Sequence, residues 1–152
     1  MITIKWNSLE DTKRFASLLA KYLFEGFLIL ASGDLGAGKT QFAKYLALEL
    51  DIKDNVTSPT FNILKCYSGQ KYDFYHIDAY RLEGLKQDLG LEEFIEGDGV
   101  CLIEWSQYLE YLLPSEYLKI NITISDNNSR IVIIEGQGEK YSKIEKEIVR
   151  LW

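Results

Sequence analysis

The run Gly33-Asp34-Leu35-Gly36-Ala37-Gly38-Lys39-Thr40 matches the phosphate-binding pattern G-x-x-x-x-G-K-[ST] at every fixed position. It commits the chain to a fold in which a buried strand ends in a glycine-rich turn that opens a helix. Upstream, Phe27-Leu28-Ile29-Leu30-Ala31 is a short apolar run suited to a buried parallel strand. Downstream, residues 41–50 carry Phe42, Leu46 and Leu50 at helical spacing. Without a Cβ, Gly33, Gly36 and Gly38 let the backbone curl and turn successive N–H groups toward an anion. The helix that follows adds its unpaired first-turn donors and the positive end of its dipole. Lys39 then reaches the β- and γ-phosphates as a point charge, and the Thr40 hydroxyl sits on magnesium. The expected nucleotide-binding set is Gly33, Asp34, Leu35, Gly36, Ala37, Gly38, Lys39, Thr40 and Gln41. The bland alternative is a strand-to-helix turn with a surface lysine.

Charge narrows the function classes. Seventeen lysines and arginines against 23 acidic residues leave a net charge of −6, so the chain lacks the basic character that holds a nucleic-acid backbone unaided. A role near RNA must run through a partner. Cys66 and Cys101 lie in apolar runs without C-x-x-C spacing, which predicts two reduced core thiols rather than a metal site or a disulfide, and hence a cytoplasmic protein. Lys5, Glu10 and Asp11 interrupt any signal-like run, and no stretch is apolar for the length of a membrane span. The 152 residues fit one domain, 1–152.

Around the loop the pattern alternates between strand and helix. Ile2-Thr3-Ile4-Lys5-Trp6 alternates as a half-buried strand, and Ser8-Leu9-Glu10-Asp11 offers a capping-box start to a helix whose apolar face runs Phe15, Leu18, Leu19, Tyr22, Leu23. Thr57, Ser58, Pro59, Thr60 and Phe61 form an extended loop, because Pro59 disfavours the helical region at Ser58. Its hydroxyls are either simple turn formers or a segment that orders with the γ-phosphate, as switch loops do. Residues 61–67 and 72–77 flank Ser68-Gly69-Gln70-Lys71 as a hairpin, and the second run ends in Asp78, where a Walker-B acid belongs; otherwise Asp78 caps the turn and pairs with Arg81. His76 is the sole histidine, either packed and hydrogen-bonded or functional. Leu85 with Leu89, and Leu91 with Phe94 and Ile95, suit short helical turns. Val100-Cys101-Leu102-Ile103 reads as a central strand closed by Glu104, a second metal-side candidate, and by Trp105, a stacking residue or a core anchor. Residues 107–113 make a further amphipathic turn before Pro114. Two runs around Asp126-Asn127-Asn128 form a hairpin, and Tyr141, Ile144, Ile148 and Leu151 face one side of a last helix. The fold expected is α/β and P-loop NTPase-like: a mixed, mostly parallel sheet flanked by helices, with antiparallel hairpins.

Four ordered motifs, the loop at 33–40, Ser58-Pro59-Thr60-Phe61, His76-Ile77-Asp78-Ala79-Tyr80-Arg81-Leu82 and Ile103-Glu104-Trp105, together resemble the bacterial TsaE family from about the first helix to Pro114. That resemblance implies a Mg2+-dependent ATPase, binding ATP and ADP, that serves the threonylcarbamoyl modification of adenosine-37 in tRNA. It also implies that the chain docks on the partner proteins TsaB and TsaD, meets tRNA only indirectly through that complex, and uses no membrane. By position it makes Lys39, Thr40, Asp78 and Glu104 catalytic, Thr40 and Glu104 the magnesium-side pair, and Thr57 to Phe61 the switch-like loop. His76, Tyr80, Arg81 and Trp105 become partner or stacking contacts. Gln41 departs from a second threonine common in the family, which leaves the magnesium role of Thr40 intact. Two other classes fit the residues: a small-molecule kinase, opposed by the scattered arginines Arg14, Arg81, Arg130 and Arg150, and a nucleotide-gated binding module. A guanine-nucleotide switch is disfavoured by the lack of an Asn-Lys-x-Asp string.

Overall fold

The computed structural model describes residues 1–59, 61–85 and 89–152. Among them one seven-stranded sheet runs in the order β1-β7-β6-β2-β5-β4-β3. The strands are β1 Ile2–Trp6, β2 Leu28–Ser32, β3 Leu64–Tyr67, β4 Phe74–Asp78, β5 Val100–Glu104, β6 Tyr117–Ile124 and β7 Arg130–Gln137. The helices are α1 Leu9–Ala20, α2 Lys39–Glu49, α3 Glu92–Ile95 and α4 Glu139–Leu151. The centre of the sheet, β6-β2-β5-β4, is parallel, while β3 and the β1-β7-β6 flank pair antiparallel. The mixed α/β architecture is therefore the expected one. Its parallel part is confined to the middle, where loop, acids and helix start all meet at the same strand ends.

Burial explains the strand patterns. β5 is buried at all five positions because structure covers both faces, so it reads as a continuous apolar run closed by a carboxylate. β6 alternates instead: Leu118, Ile120 and Ile122 enter the core, while Lys119 and Thr123 face solvent. One core layer holds Trp6, Phe15 and Phe42, with ring centres 5.4–6.2 Å apart, packing β1, α1 and α2 together. α4 closes the same layer with Tyr141, Ile144 and Ile148, and the Tyr141 hydroxyl accepts the Leu28 N–H at 2.9 Å. A smaller layer on the opposite face gathers Leu30, Ile77, Ile95, Ile103 and Leu109.

Several local expectations change. The capping box at α1 is incomplete: the Ser8 side chain makes no cap bond, and Asp11 accepts from the Asn7 N–H at 2.7 Å rather than from the cap residue. β3 begins three residues later than residue 61, because the Pro59 carbonyl accepts the N–H groups of both Asn62 and Ile63 and folds that stretch into a turn. Cys66 is exposed on the edge strand β3, and only Cys101 is a core thiol; burial raises the pKa of both, so neither is a ready nucleophile. Leu85 and Leu89 stay substantially exposed, and the residues between them, 86–88, lie outside the described residues. Leu151 also faces solvent, and the helix end docks instead through Trp152, edge-on to Phe15 and beneath the Arg14 guanidinium. No described helix is long and apolar enough to cross a membrane.

Candidate functional site

β2 delivers the chain into the glycine turn at the carboxyl end of the sheet. At Gly33, φ is +143° and a Cβ would stand 2.3 Å from the Ile122 carbonyl oxygen, so β6 leaves no room for a side chain. At Gly36 and Gly38 space is open, and the demand is conformational, with φ of +81° and +117°. Gly38 caps α2, whose first turn begins at Lys39. The turn is braced from behind: the Arg130 Nε donates to the Ala37 carbonyl at 2.7 Å, and the Ala37 N–H donates to Asp34 O at 3.0 Å. Leu35 stands 98% exposed at the lip.

Lys39 is buried, and its Nζ donates to the Gly33 carbonyl. The same ammonium lies 3.8 Å from Glu104 Oε1 and 5.3 Å from the centre of the Trp105 ring. Glu104 ends β5, and its other oxygen, Oε2, meets His76 Nε2 at 2.8 Å. Asp78 ends β4 directly beside Glu104 in the parallel register, and it accepts the Tyr80 N–H at 3.0 Å. Two carboxylates buried side by side are costly unless cations or donors face them, and here Lys39 and His76 face Glu104 and the Tyr80 amide faces Asp78. Immediately after Glu104 the chain bends at Trp105, a non-glycine residue in the left-handed region, φ 60° and ψ 42°. That bend seats the indole between the rings of Tyr80 at 5.0 Å and Tyr108 at 6.1 Å.

These groups line one cavity of about 370 Å³. Its floor is Gly36, Gly38, Lys39 and Thr40; its walls are Gln41, Ser58, Asp78, Glu104 and Trp105. Thus the structure brings together the glycine turn, both acids, one residue of the 57–61 loop and the tryptophan. Other members of the expected set lie elsewhere. Thr57 is held away, its hydroxyl accepting from Lys65 Nζ at 2.5 Å. Phe61 is 82% exposed beneath the Arg81 guanidinium at 4.6 Å, and Tyr80 is exposed with its ring against Trp105. Thr60 lies outside the described residues. His76, expected among partner or stacking contacts, is fully buried and turned to Glu104, which leaves it no surface for a partner.

A second, smaller cavity of about 140 Å³ adjoins the turn. Gly38 and Gln41 are common to both cavities, and Trp6, Thr12 and Arg130 are among the other residues that line the smaller one. The buried Trp6 indole N–H has no hydrogen-bond partner among the described residues. The signal available in the sequence was only an aromatic at the end of an apolar strand, which is indistinguishable from core. Chemically, the paired cavities offer an anion seat of backbone amides and one ammonium, with carboxylate and hydroxyl oxygens beside it for a hard cation. No cluster of three or more histidine, cysteine or acidic residues suited to an all-protein metal cage occurs among the described residues. Magnesium needs none, since it keeps waters and is held through one or two protein oxygens together with phosphates.

A family model for the threonylcarbamoyl adenosine biosynthesis protein TsaE matches residues 6–132. The chain is 40% identical over 152 residues to the tRNA threonylcarbamoyladenosine biosynthesis protein TsaE of Bacillus subtilis (strain 168), covering 99% of this chain and 96% of that one. The protein of the same description from Rickettsia prowazekii (strain Madrid E) is 40% identical over 135 residues, 87% of this chain and 93% of its own. Among solved structures, the crystal structure of Bacillus subtilis YdiB superposes with a TM-score of 0.82 at 36% identity, covering 98% of this chain and 95% of that one.

Proposed function

The chain belongs to the TsaE family of threonylcarbamoyladenosine biosynthesis proteins, and from that premise we propose that it is the Mg2+-dependent ATPase of tRNA threonylcarbamoyladenosine formation, working on TsaB and TsaD. The observation that carries the ATPase reading is the meeting of Lys39, Thr40, Asp78 and Glu104 in one cavity at the mouth of a glycine turn. The turn's amides and the Lys39 ammonium neutralise the phosphates of ATP, a charge the acidic remainder of the chain would otherwise repel. Thr40 and Glu104 would supply the oxygens that hold magnesium, with Asp78 adjacent, and the ion when bound would supply charge neutralisation for the phosphates. Asp78 would accept the proton of the attacking water, whose oxygen bonds to the γ-phosphorus as the bond to ADP breaks, while Glu104 serves the metal side.

None of the four arginines lines the cavity among the described residues. Arg14 lies on Trp152, Arg81 on Phe61 and Arg150 on Glu147, while Arg130 braces the turn. Transition-state charge on the transferred phosphoryl group therefore lacks an arginine from this chain, and turnover by the isolated protein should be slow. The test is ATP turnover with magnesium, alone and with TsaB and TsaD from the same source. The expected result is stimulation by the partners that disappears in Lys39→Ala. Equal turnover with and without them, and no complex, would remove the partnership.

The smaller cavity is the place for the nucleoside, because it adjoins the phosphate seat at Gly38 and Gln41 and is lined in part by Trp6. Trp6→Phe changes the shape of that wall while it keeps an aromatic ring. It should weaken ATP binding and leave inorganic tripolyphosphate binding unchanged. Equal loss for both ligands would place the base elsewhere.

A further inference from the structure

His76 carries a cost that packing does not repay. Along β4 it lies between Phe74 and Asp78 on the face turned to the large core layer, and the Phe74 ring is 5.9 Å away. It is fully buried, and its Nδ1 has no partner among the described residues. An apolar side chain at this position would avoid that cost. What the imidazole gains is one bond, from Nε2 to Glu104 Oε2 at 2.8 Å. An ionised carboxylate only accepts, so Nε2 carries the hydrogen. The two oxygens of Glu104 are thereby made unequal: Oε2 is tied from behind, and Oε1 is on the side of Lys39, 3.8 Å from its ammonium.

We propose that His76 is a positioning residue for the metal-side carboxylate, its Nε2–H fixing the rotation of Glu104 so that Oε1 is presented to the cation of an Mg-nucleotide complex. This rests on the reading of Glu104 as a magnesium-side group. A carboxylate free to rotate spends less time in the binding orientation, and loss of such an outer partner typically weakens metal affinity or activity about 10- to 100-fold.

Three variants of the full chain test it. His76→Phe removes the donor and keeps a flat ring; His76→Gln places an amide N–H near the Nε2 position; His76→Asn carries the same amide too short to reach. Binding of Mn2+ to the ATP-loaded protein, read by electron paramagnetic resonance, should weaken about 10- to 100-fold in the Phe and Asn variants and return close to the parent value in Gln. ATP affinity in EDTA should be unchanged in all three, which a general structural defect would not allow. Should His76→Phe fail to fold, the Asn and Gln pair still decides, since equal metal affinity in those two would overturn the proposal. So would a His76→Phe protein that binds Mn2+ like the parent. Because this is the only histidine, the imidazole 15N spectrum of the protein is its own, and a spectrum with Nε2 unprotonated would also overturn the assignment. If the parent itself binds neither ATP nor Mn2+ with ATP, the reading of the site falls and this proposal with it. A parent that binds Mn2+ with ATP, together with His76 variants that bind it equally well, removes only the role of His76.

Discussion

Lys39→Ala is expected to bind ATP about 10- to 100-fold more weakly, since a charged hydrogen bond to phosphate is worth about 1.5–3 kcal/mol net. The deletion acts twice. It takes away the one ammonium in the cavity, and it also leaves Glu104 and Asp78 side by side with a phosphate arriving in front of them and one less cation between. The bond from Nζ to the Gly33 carbonyl goes as well, so the turn loses an internal tie. Titration calorimetry with ATP checks the affinity, and a thermal melt without nucleotide separates the loss of the tie from the loss of the ligand contact. Lys39→Ala binding ATP as tightly as the parent would remove the lysine from the phosphate seat.

Glu104→Ala should behave in the opposite sense toward free nucleotide. Removing a carboxylate from beside the phosphates relieves repulsion, so ATP affinity in EDTA should stay level or rise, while magnesium-dependent turnover falls about 100-fold or more. The alanine also strands His76 without its bond, a buried loss of about 1–3 kcal/mol that lowers the melting midpoint. Glu104→Gln separates the two effects. Its amide oxygen still accepts from His76 Nε2, so the fold should keep its stability while turnover stays low. Turnover curves against magnesium concentration, with melts of both variants, decide the matter; parent-like turnover in both would take Glu104 out of the metal site.

The residues whose place was legible in the sequence are those fixed by a strand end. Lys39 and Thr40 follow a spaced pattern, and Asp78 and Glu104 close apolar runs, so their meeting follows once β4 and β5 lie parallel with their ends level. What stayed hidden depends on strand order and register. His76 reaches Glu104 diagonally, from a position level with Leu102, a relation set by a neighbouring strand and by nothing near His76 in sequence. Arg130 braces Ala37 from 93 positions away because β7 sits two strands from β2. Cys66 resembles a core thiol until β3 proves to be the edge. In the last helix the 3.6-residue period puts Leu151 on the side of Ile144 and Ile148, yet Leu151 is exposed, and only the docking of Trp152 on Phe15 shows where the helix end finishes.

The position of β7 between β1 and β6 has a consequence for the order in which the molecule can be completed on a ribosome. β1 is the first strand made, yet its ladder joins Ile2 to Ile134 and Trp6 to Arg130, so it waits for almost the whole chain to emerge. Until then Trp6 has no strand beside it. The same late strand brings Arg130, so the glycine turn, itself finished early in synthesis, gains its brace only at the end. Long-range pairing of this kind slows closure, because the loop entropy must be met before the contacts repay it. The Arg130 brace and the wall of the smaller cavity at Trp6 thus wait on the same late strand, and a nascent chain stopped short of residue 130 holds the glycine turn without either.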